Sequence, residues 1–292
     1  MVTMNVKKAL AIGGSDPSGG AGIQADIMTM TELAVYPYTA LTAITAQNSG
    51  GVASYEILSS RMMRAQIDAI LNDTDIDGVK TGMLGSSENI TEVALFLTER
   101  PGTVSVIDPV IRATDGKVLT SEASTAVFKK RLLPRAFMVT PNIDEARLLT
   151  GVPINGENDL IVAAKALKET GAEWILIKGG HLPGPTSVDL LYDGVKEYYF
   201  EAVRLEGMNT RGTGCMMASA ICAYLAHGLA PYEAVDKAKA YVLRKIKGAL
   251  LLGKGSRQAL PVLLIEATSD RNKHDIEDTP AARGEEVENR LD

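Results

Sequence analysis

The chain has 292 residues, 46% of them hydrophobic and 23% charged, with a formal net charge of −6. That balance supplies enough apolar material for a large single core, and its sign argues against a dedicated nucleic-acid binder, which carries a basic face. No apolar run approaches the length of a membrane span, and the stretch Met1 to Lys8 lacks the apolar segment of a secretion signal.

In chain order, Ala9–Gly14 reads as a buried strand ending in glycine, and Ile23, Ile27, Met30 and Leu33 then recur at helical spacing. Further strands are predicted at Ala40–Ala46, Gly78–Thr81, Val104–Ile107, Phe137–Thr140 and Trp174–Lys178. Helices fall between them at Arg61–Leu71, Ile90–Leu97 and Leu160–Glu169. Strands separated by helices of this length imply parallel pairing, hence an open α/β sheet covered on both faces. Ser49–Ile57 reads as a small strand excursion forming a flap. Later, Ser187–Tyr192 and Lys196–Phe200 flank Asp193-Gly194, a hairpin signal. Helices are expected at about Thr213–His227 and Pro231–Leu252, each with an apolar stripe that suits a core face. The expectation is one domain over residues 1–267 and a polar tail over 268–292.

The cysteines are Cys215 and Cys222 alone, and no Cys/His cluster has zinc-ligand spacing. On one helix their thiols would stand about 10 Å apart, too far for a disulfide. Free thiols fit a reducing cytosol, so a cytoplasmic location is expected.

Ligands of an open parallel sheet bind at the carboxyl ends of its strands. The polar residues there are Ser15–Gly22, Gln47-Asn48, Lys80-Thr81-Gly82-Met83, Asp108-Pro109, Asn142 with Glu145, and Lys178-Gly179-Gly180. Gly13 to Gly22 is a glycine-rich strand-to-helix turn that lets backbone amides approach a ligand, though it matches neither the Walker A nor the dinucleotide pattern. A plain tight turn capped by Ser15 or Asp16 is the alternative. Gly212-Thr213-Gly214-Cys215 opens a helix, a natural hole for a phosphoryl group, and the helix end should lower the Cys215 pKa. Against that stands an N-cap at Thr213 beside a buried structural cysteine. Asp108, Asn142 and Glu145 are oxygen donors suited to magnesium, although Glu145 could equally cap the helix starting near Asn142. Lys178 would meet phosphate or reach solvent.

The blocks Ala11 to Asp26, Thr42 to Asn48, Lys80 to Gly85, Asp108 to Val110, Thr140 to Ala146, Ile177 to His181 and Asn209 to Cys215 resemble, in order, the hydroxymethylpyrimidine/phosphomethylpyrimidine kinases of thiamine biosynthesis. The first and last blocks are the more specific, and the middle ones are shared with pyridoxal kinases. The resemblance implies a ribokinase-like fold, a homodimer, ATP with Mg2+, and a small pyrimidine alcohol as substrate. Carried over by motif, Gly14, Ala21, Asp26, Gln47, Met83 and Val110 would line the pyrimidine pocket. Lys178 would meet the ATP phosphates, and Asp108, Asn142 and Glu145 would hold magnesium. Cys215 falls at the family's proposed base, with the Gly212, Thr213 and Gly214 backbone forming the anion hole. Two positions depart from the family: Arg211 stands where histidine is usual, and Ile111-Arg112-Ala113 opens a loop that usually carries lysine. Both arginines are expected near phosphate. A pyridoxal kinase is the rival reading, disfavoured by the Gln47-Asn48 pair, and a pyrimidine-binding protein without catalysis is the third.

Overall fold

A computed structural model describes residues 6–113, 116–180, 182–205, 211–255 and residue 260. The expected tail at 268–292, and the loop positions Thr114, Asp115, His181, Asn209 and Thr210, lie outside the described residues.

Strand β1 (Lys7–Ser15) leads into α1 (Gly22–Glu32), then β2 (Val35–Asn48) and β3 (Gly51–Ile57). There follow α2 (Ser60–Leu71), β4 (Gly78–Thr81), α3 (Ser87–Glu99), β5 (Ser105–Ile107), α4 (Glu122–Val127) and β6 (Met138–Val139). The second half holds α5 (Ile143–Thr150), α6 (Asn158–Lys168), β7 (Trp174–Ile177), β8 (Thr186–Tyr192), β9 (Glu197–Val203), α7 (Thr213–Ala226) and α8 (Pro231–Lys247).

These strands form a nine-stranded sheet in the order β3-β2-β1-β4-β5-β6-β7-β8-β9. Pairing across β2-β1-β4-β5-β6-β7 is parallel, whereas β3 pairs antiparallel with β2 at one edge, and β8 pairs antiparallel with both β7 and β9 at the other. The chain leaves β1 for β2 on one side and returns to β4 on the other. That reversal opens a crevice at the carboxyl ends of β1 and β4, where the Gly82 amide donates to the Ile12 carbonyl at 2.8 Å.

Alternation along β1 divides the core. Leu10 and Ile12 face a layer built from α2, α3, α5 and α6, including Met63, Ile67, Phe96 and Leu160. Ala9 and Ala11 face α1, α7 and α8. Their small side chains let α7 lie close to the sheet, and α7 is buried almost all round from Met216 to Ala223. Cys222 belongs to this core.

The strands predicted at Ala40–Ala46, Val104–Ile107 and Phe137–Thr140 shift in extent, because β2 starts earlier at Val35 and β6 shrinks to a pair of residues. Helix α4 and the turns after it, through Arg135, had no periodic signal, being too short to present one face. Helix α8 stops at Lys247 rather than Leu252, with Gly248 taking the C-cap. The excursion at 49–57 is present as β3, paired to the extended end of β2. Among the described residues no helix is long and apolar enough to cross a membrane.

Phe96 on α3 has 0% exposure, so Phe96→Ala should cost about 3–5 kcal/mol, readable as a lower midpoint in denaturant unfolding with the m-value retained.

Candidate active site

The segments at the carboxyl rim converge on one cavity of about 760 Å³, within the usual range for small-ligand sites. Its lining includes Gly14, Ala21, Asp26, Gln47, Met83 and Val110, with Asp108, Asn142, Glu145 and Lys178, and Gly212, Thr213, Gly214 and Cys215 form one wall. Asp189, Lys239 and Ile246 line it as well.

That wall is the N-terminus of α7. Gly212 is its N-cap, at φ 78°, and as a glycine offers no side chain to cap the first turn. Thr213 is therefore the first helical residue, and the N-cap expected as an alternative at Thr213 is displaced by one position. The first intrahelical bond runs from the Met216 amide to the Gly212 carbonyl, so the amides of Thr213, Gly214 and Cys215 are left for a ligand. A left-handed φ and close approach to the Gly20 carbonyl both require glycine at 212.

Lys178 stands beside this helix end. Its Nζ donates to Asp108 Oδ1 at 2.8 Å, and a methyl group on Gly214 would lie 3.4 Å from Nζ and 3.8 Å from Asp108 Oδ2. Burial works to lower the Lys178 pKa, but the Asp108 and Glu145 carboxylates outweigh it, so the ammonium stays charged above its ordinary range.

Asn142 and Glu145 form a reciprocal capping box at α5: the Asn142 side chain accepts from the Glu145 amide, and Glu145 Oε2 from the Asn142 amide, each at 2.9 Å. The oxygens of Asn142 and Glu145, both expected as metal ligands, thus each accept a backbone amide of the helix start and keep further acceptor capacity. Among the described residues no group of three or more His, Cys, Asp or Glu side chains could hold a metal ion. The carboxylates beside Lys178 are Asp108 and Glu145. This pair fits Mg2+, which keeps several waters and takes one or two carboxylates alongside phosphate oxygens. Burial, aided by the nearby Asp108 charge, pushes the Glu145 carboxyl up to about 7, with Lys178 and the amides of Asn142 and Ile111 pulling the other way.

The thiol of Cys215 corrects an expectation. Burial pushes it up to about 11, and the nearby Asp26 and Asp108 add to that, against Lys80 and a backbone hydrogen bond from Gly22. Desolvation wins over the helix end, and at neutral pH the group is a thiol.

Arg211 is a second correction. Rather than reaching phosphate, it is 6% exposed and bonds to Asp16, Ser18 and the Asn48 carbonyl. Arg112 does lie at the cavity, exposed on the loop after Val110. Asp26 lies beneath the cavity with both oxygens on Lys80, at 2.8 and 2.9 Å, and Oδ1 also on Ser219 at 2.7 Å. Its carboxylate is a support of the floor rather than a free contact.

Sequence reasoning gave Lys80 no role. It is 0% exposed on β4 and lines the cavity. Burial would lower its pKa, and Asp26, Cys215 and Asp108 raise it instead. For Asp26 the balance falls the other way: burial pushes the carboxyl up against Lys80 and Ser219. The available signal was a lysine inside a short strand between its parallel neighbours, where it must find a buried partner.

The family described as phosphomethylpyrimidine kinase matches residues 16–260. The chain belongs to the phosphomethylpyrimidine kinase family. A hydroxymethylpyrimidine/phosphomethylpyrimidine kinase of Rhizobium meliloti is 45% identical over 250 residues, 85% of this chain and 94% of that one. A thiamine biosynthesis bifunctional protein of Geobacter sulfurreducens is 44% identical over 262 residues, 90% of this chain but 54% of its own length, so the chain spans about half of that relative. Among solved structures, the pyridoxal kinase of Staphylococcus aureus with AMP-PCP and pyridoxal superposes at TM-score 0.80, with 35% identity, over 88% of this chain and 93% of that one. The phosphomethylpyrimidine kinase of Clostridium difficile does so at 0.74, with 36% identity, over 82% and 99%. The ribokinase-like fold expected from the sequence is thus the fold observed.

Two outcomes follow for stability. Lys80→Met strands a buried carboxylate and should cost about 3–5 kcal/mol, whereas the neutral pair Lys80→Met/Asp26→Asn should recover most of it, as read by chemical denaturation. Glu145 binds its proton more tightly folded than unfolded, so its contribution favours the fold at low pH and is lost as pH rises from about 4.5 to about 7. Glu145→Gln should remove that slope from the pH dependence of unfolding.

Proposed function

We propose that the protein transfers the γ-phosphoryl group of ATP to the hydroxyl of 4-amino-5-hydroxymethyl-2-methylpyrimidine, and then phosphorylates the monophosphate to the diphosphate, in thiamine biosynthesis. The observation that carries this reading is that Gln47, the Lys178–Asp108 pair and the open end of α7 line a single cavity. The kinases among its relatives and structural neighbours support it.

The Gln47 amide offers both a donor and an acceptor, which matches an aminopyrimidine edge where the amino group donates and the ring nitrogen accepts. Met83, 8% exposed, and Val110 supply apolar walls, and Gly14 and Ala21 leave room for the ring. The triphosphate would run past Lys178, with the γ-phosphoryl group at the amides of Thr213, Gly214 and Cys215. Arg112 at the mouth would meet a phosphate already on the substrate.

In the transfer the substrate oxygen forms its bond to phosphorus as the bond from phosphorus to the ADP oxygen breaks. Catalysis of this kind rests on positioning and charge neutralisation. The amides and Lys178 stabilise charge on the transferring oxygens. Cys215, protonated at neutral pH, serves to orient the hydroxyl, and the hydroxyl proton leaves late, to the new phosphate ester or to water. Asp108 and Glu145 are the residues that would hold Mg2+, which when bound screens the phosphate charges. The reading includes a homodimer in the cytoplasm: the free Cys215 and Cys222 suit a reducing compartment, and Tyr36 and Ile44 leave exposed apolar surface on β2.

An assay of ADP release against the pyrimidine alcohol and pyridoxal, side by side, tests the reading. Turnover should depend on added pyrimidine, with kcat/KM above that for pyridoxal. Gln47→Ala should raise the pyrimidine KM roughly 10- to 100-fold. Lys178→Met should lower kcat by about 100-fold or more. Preference for pyridoxal would transfer the assignment to the rival kinase, and ligand binding without ATP consumption would leave a non-catalytic protein.

A further inference from the structure

Arg211 sits just before the open end of α7, yet its guanidinium turns toward the loop after β1 and the end of β2. One terminal nitrogen lies 3.2 Å from Asp16 Oδ2 and 3.2 Å from the Asn48 carbonyl, and the other lies 2.6 Å from Ser18 Oγ. Asp16 is itself 2% exposed, and its Oδ1 receives the Ser18 amide at 2.9 Å and the Ser18 hydroxyl at 2.5 Å. Gly20 leaves the space the guanidinium occupies: a methyl group there would overlap it. This is a buried ion pair between two loops, kept although Arg211 Nε is buried without a hydrogen-bond partner, and it needs a reason beyond surface solubility.

The reason lies in what the second Asp16 oxygen faces. Gln47 Nε2 points at Asp16 Oδ2 across 3.4 Å. On its other side, Gln47 Oε1 is 3.4 Å from the Thr45 hydroxyl, but Thr45 has one proton and gives it to the Ser15 carbonyl at 2.8 Å. Asp16 is therefore the group that decides which way the Gln47 carboxamide faces. The two ends of a carboxamide are nearly the same in shape, and a half-turn would set Oε1 against a carboxylate oxygen, like charge against like. We propose that Arg211 is a positioning residue for substrate recognition: by holding Asp16, and the Asn48 backbone beside it, it fixes the orientation in which Gln47 presents its amide to the substrate ring.

The inference rests on the pyrimidine reading of Gln47, and it assigns Arg211 to the recognition half of the site rather than to phosphate. Arginine suits the task because its planar fork reaches a carboxylate, a hydroxyl and a carbonyl at once, which a lysine ammonium does not reproduce.

The test is a cycle of Arg211→Gln and Gln47→Ala, with kcat and the KM values for the alcohol and for ATP measured separately. Arg211→Gln should raise the KM for the pyrimidine alcohol about 10-fold, with kcat and the ATP KM within about twofold. In the Gln47→Ala background the same replacement should change the alcohol KM by less than about twofold. Arg211→Lys should fall between wild type and Arg211→Gln. Asp16→Asn/Arg211→Gln leaves no lone buried charge and keeps the test open if Arg211→Gln folds poorly; it should reproduce the same KM. Equal effects of Arg211→Gln with and without Gln47, or a loss confined to kcat or to the ATP KM, would overturn the proposal. Were the wild type to accept pyridoxal and not the pyrimidine, the functional reading fails on its own, and the cycle run with pyridoxal still decides the role of Arg211.

Discussion

The close packing of two glycine turns governs the geometry of this site. Gly212, in a left-handed conformation, presses against the Gly20 carbonyl, which brings the start of α7 down onto the loop after β1. No side chain can be inserted between them, and the N-cap glycine has none with which to cap the helix. The free amides of the first turn therefore face the carboxyl rim of the sheet, next to Lys178 and Asp108, instead of being satisfied within the fold.

Around that contact the protein spends buried charge rather than avoiding it. Lys80 with Asp26 and Ser219 joins β4, α1 and α7 under the cavity floor. Arg211 with Asp16 and Ser18 joins the approach to α7 to the loop after β1. Lys239 with Asp189 joins α8 to β8, at 2.8 Å. Each such pair costs desolvation that its partner must return. The gain is in placement, because a paired charge specifies one geometry where an apolar contact tolerates several. The same low-dielectric setting explains why Cys215 is held as a thiol and why Glu145 titrates near neutrality.

Much of the fold was legible because its signals are local. Short apolar runs alternating with helical periodicity define β1, β4, β7 and the helices between them, and the polar ends of those strands mark the rim. The glycine-rich turns at 19–22 and 212–214 were readable from composition alone. What could not be read was the choice among partners for a polar side chain. Arg211 and Asp16 are 195 positions apart in the chain, and nothing near either one specifies the other. Asn142 and Glu145 carried two readings at once, a helix cap and a metal site, and only the geometry gives the capping bonds. The Cys215 pKa failed for a related reason: the helix end was visible in the sequence, while the burial that outweighs it is a property of the packed whole. Lys80 was missed because a lysine in a rim motif reads as exposed, until its strand is seen to be central in the sheet.

The claim that α7 and Gln47 serve the two ends of one reaction is tested most directly by a crystal structure with the pyrimidine alcohol and a non-hydrolysable ATP analogue bound together. The account predicts the pyrimidine ring against Gln47 and the γ-phosphoryl group on the Thr213, Gly214 and Cys215 amides. Phosphorus should lie in line with the substrate hydroxyl at about 3–3.5 Å. A triphosphate bound away from the start of α7, or a pyrimidine lodged out of reach of Gln47, would contradict it.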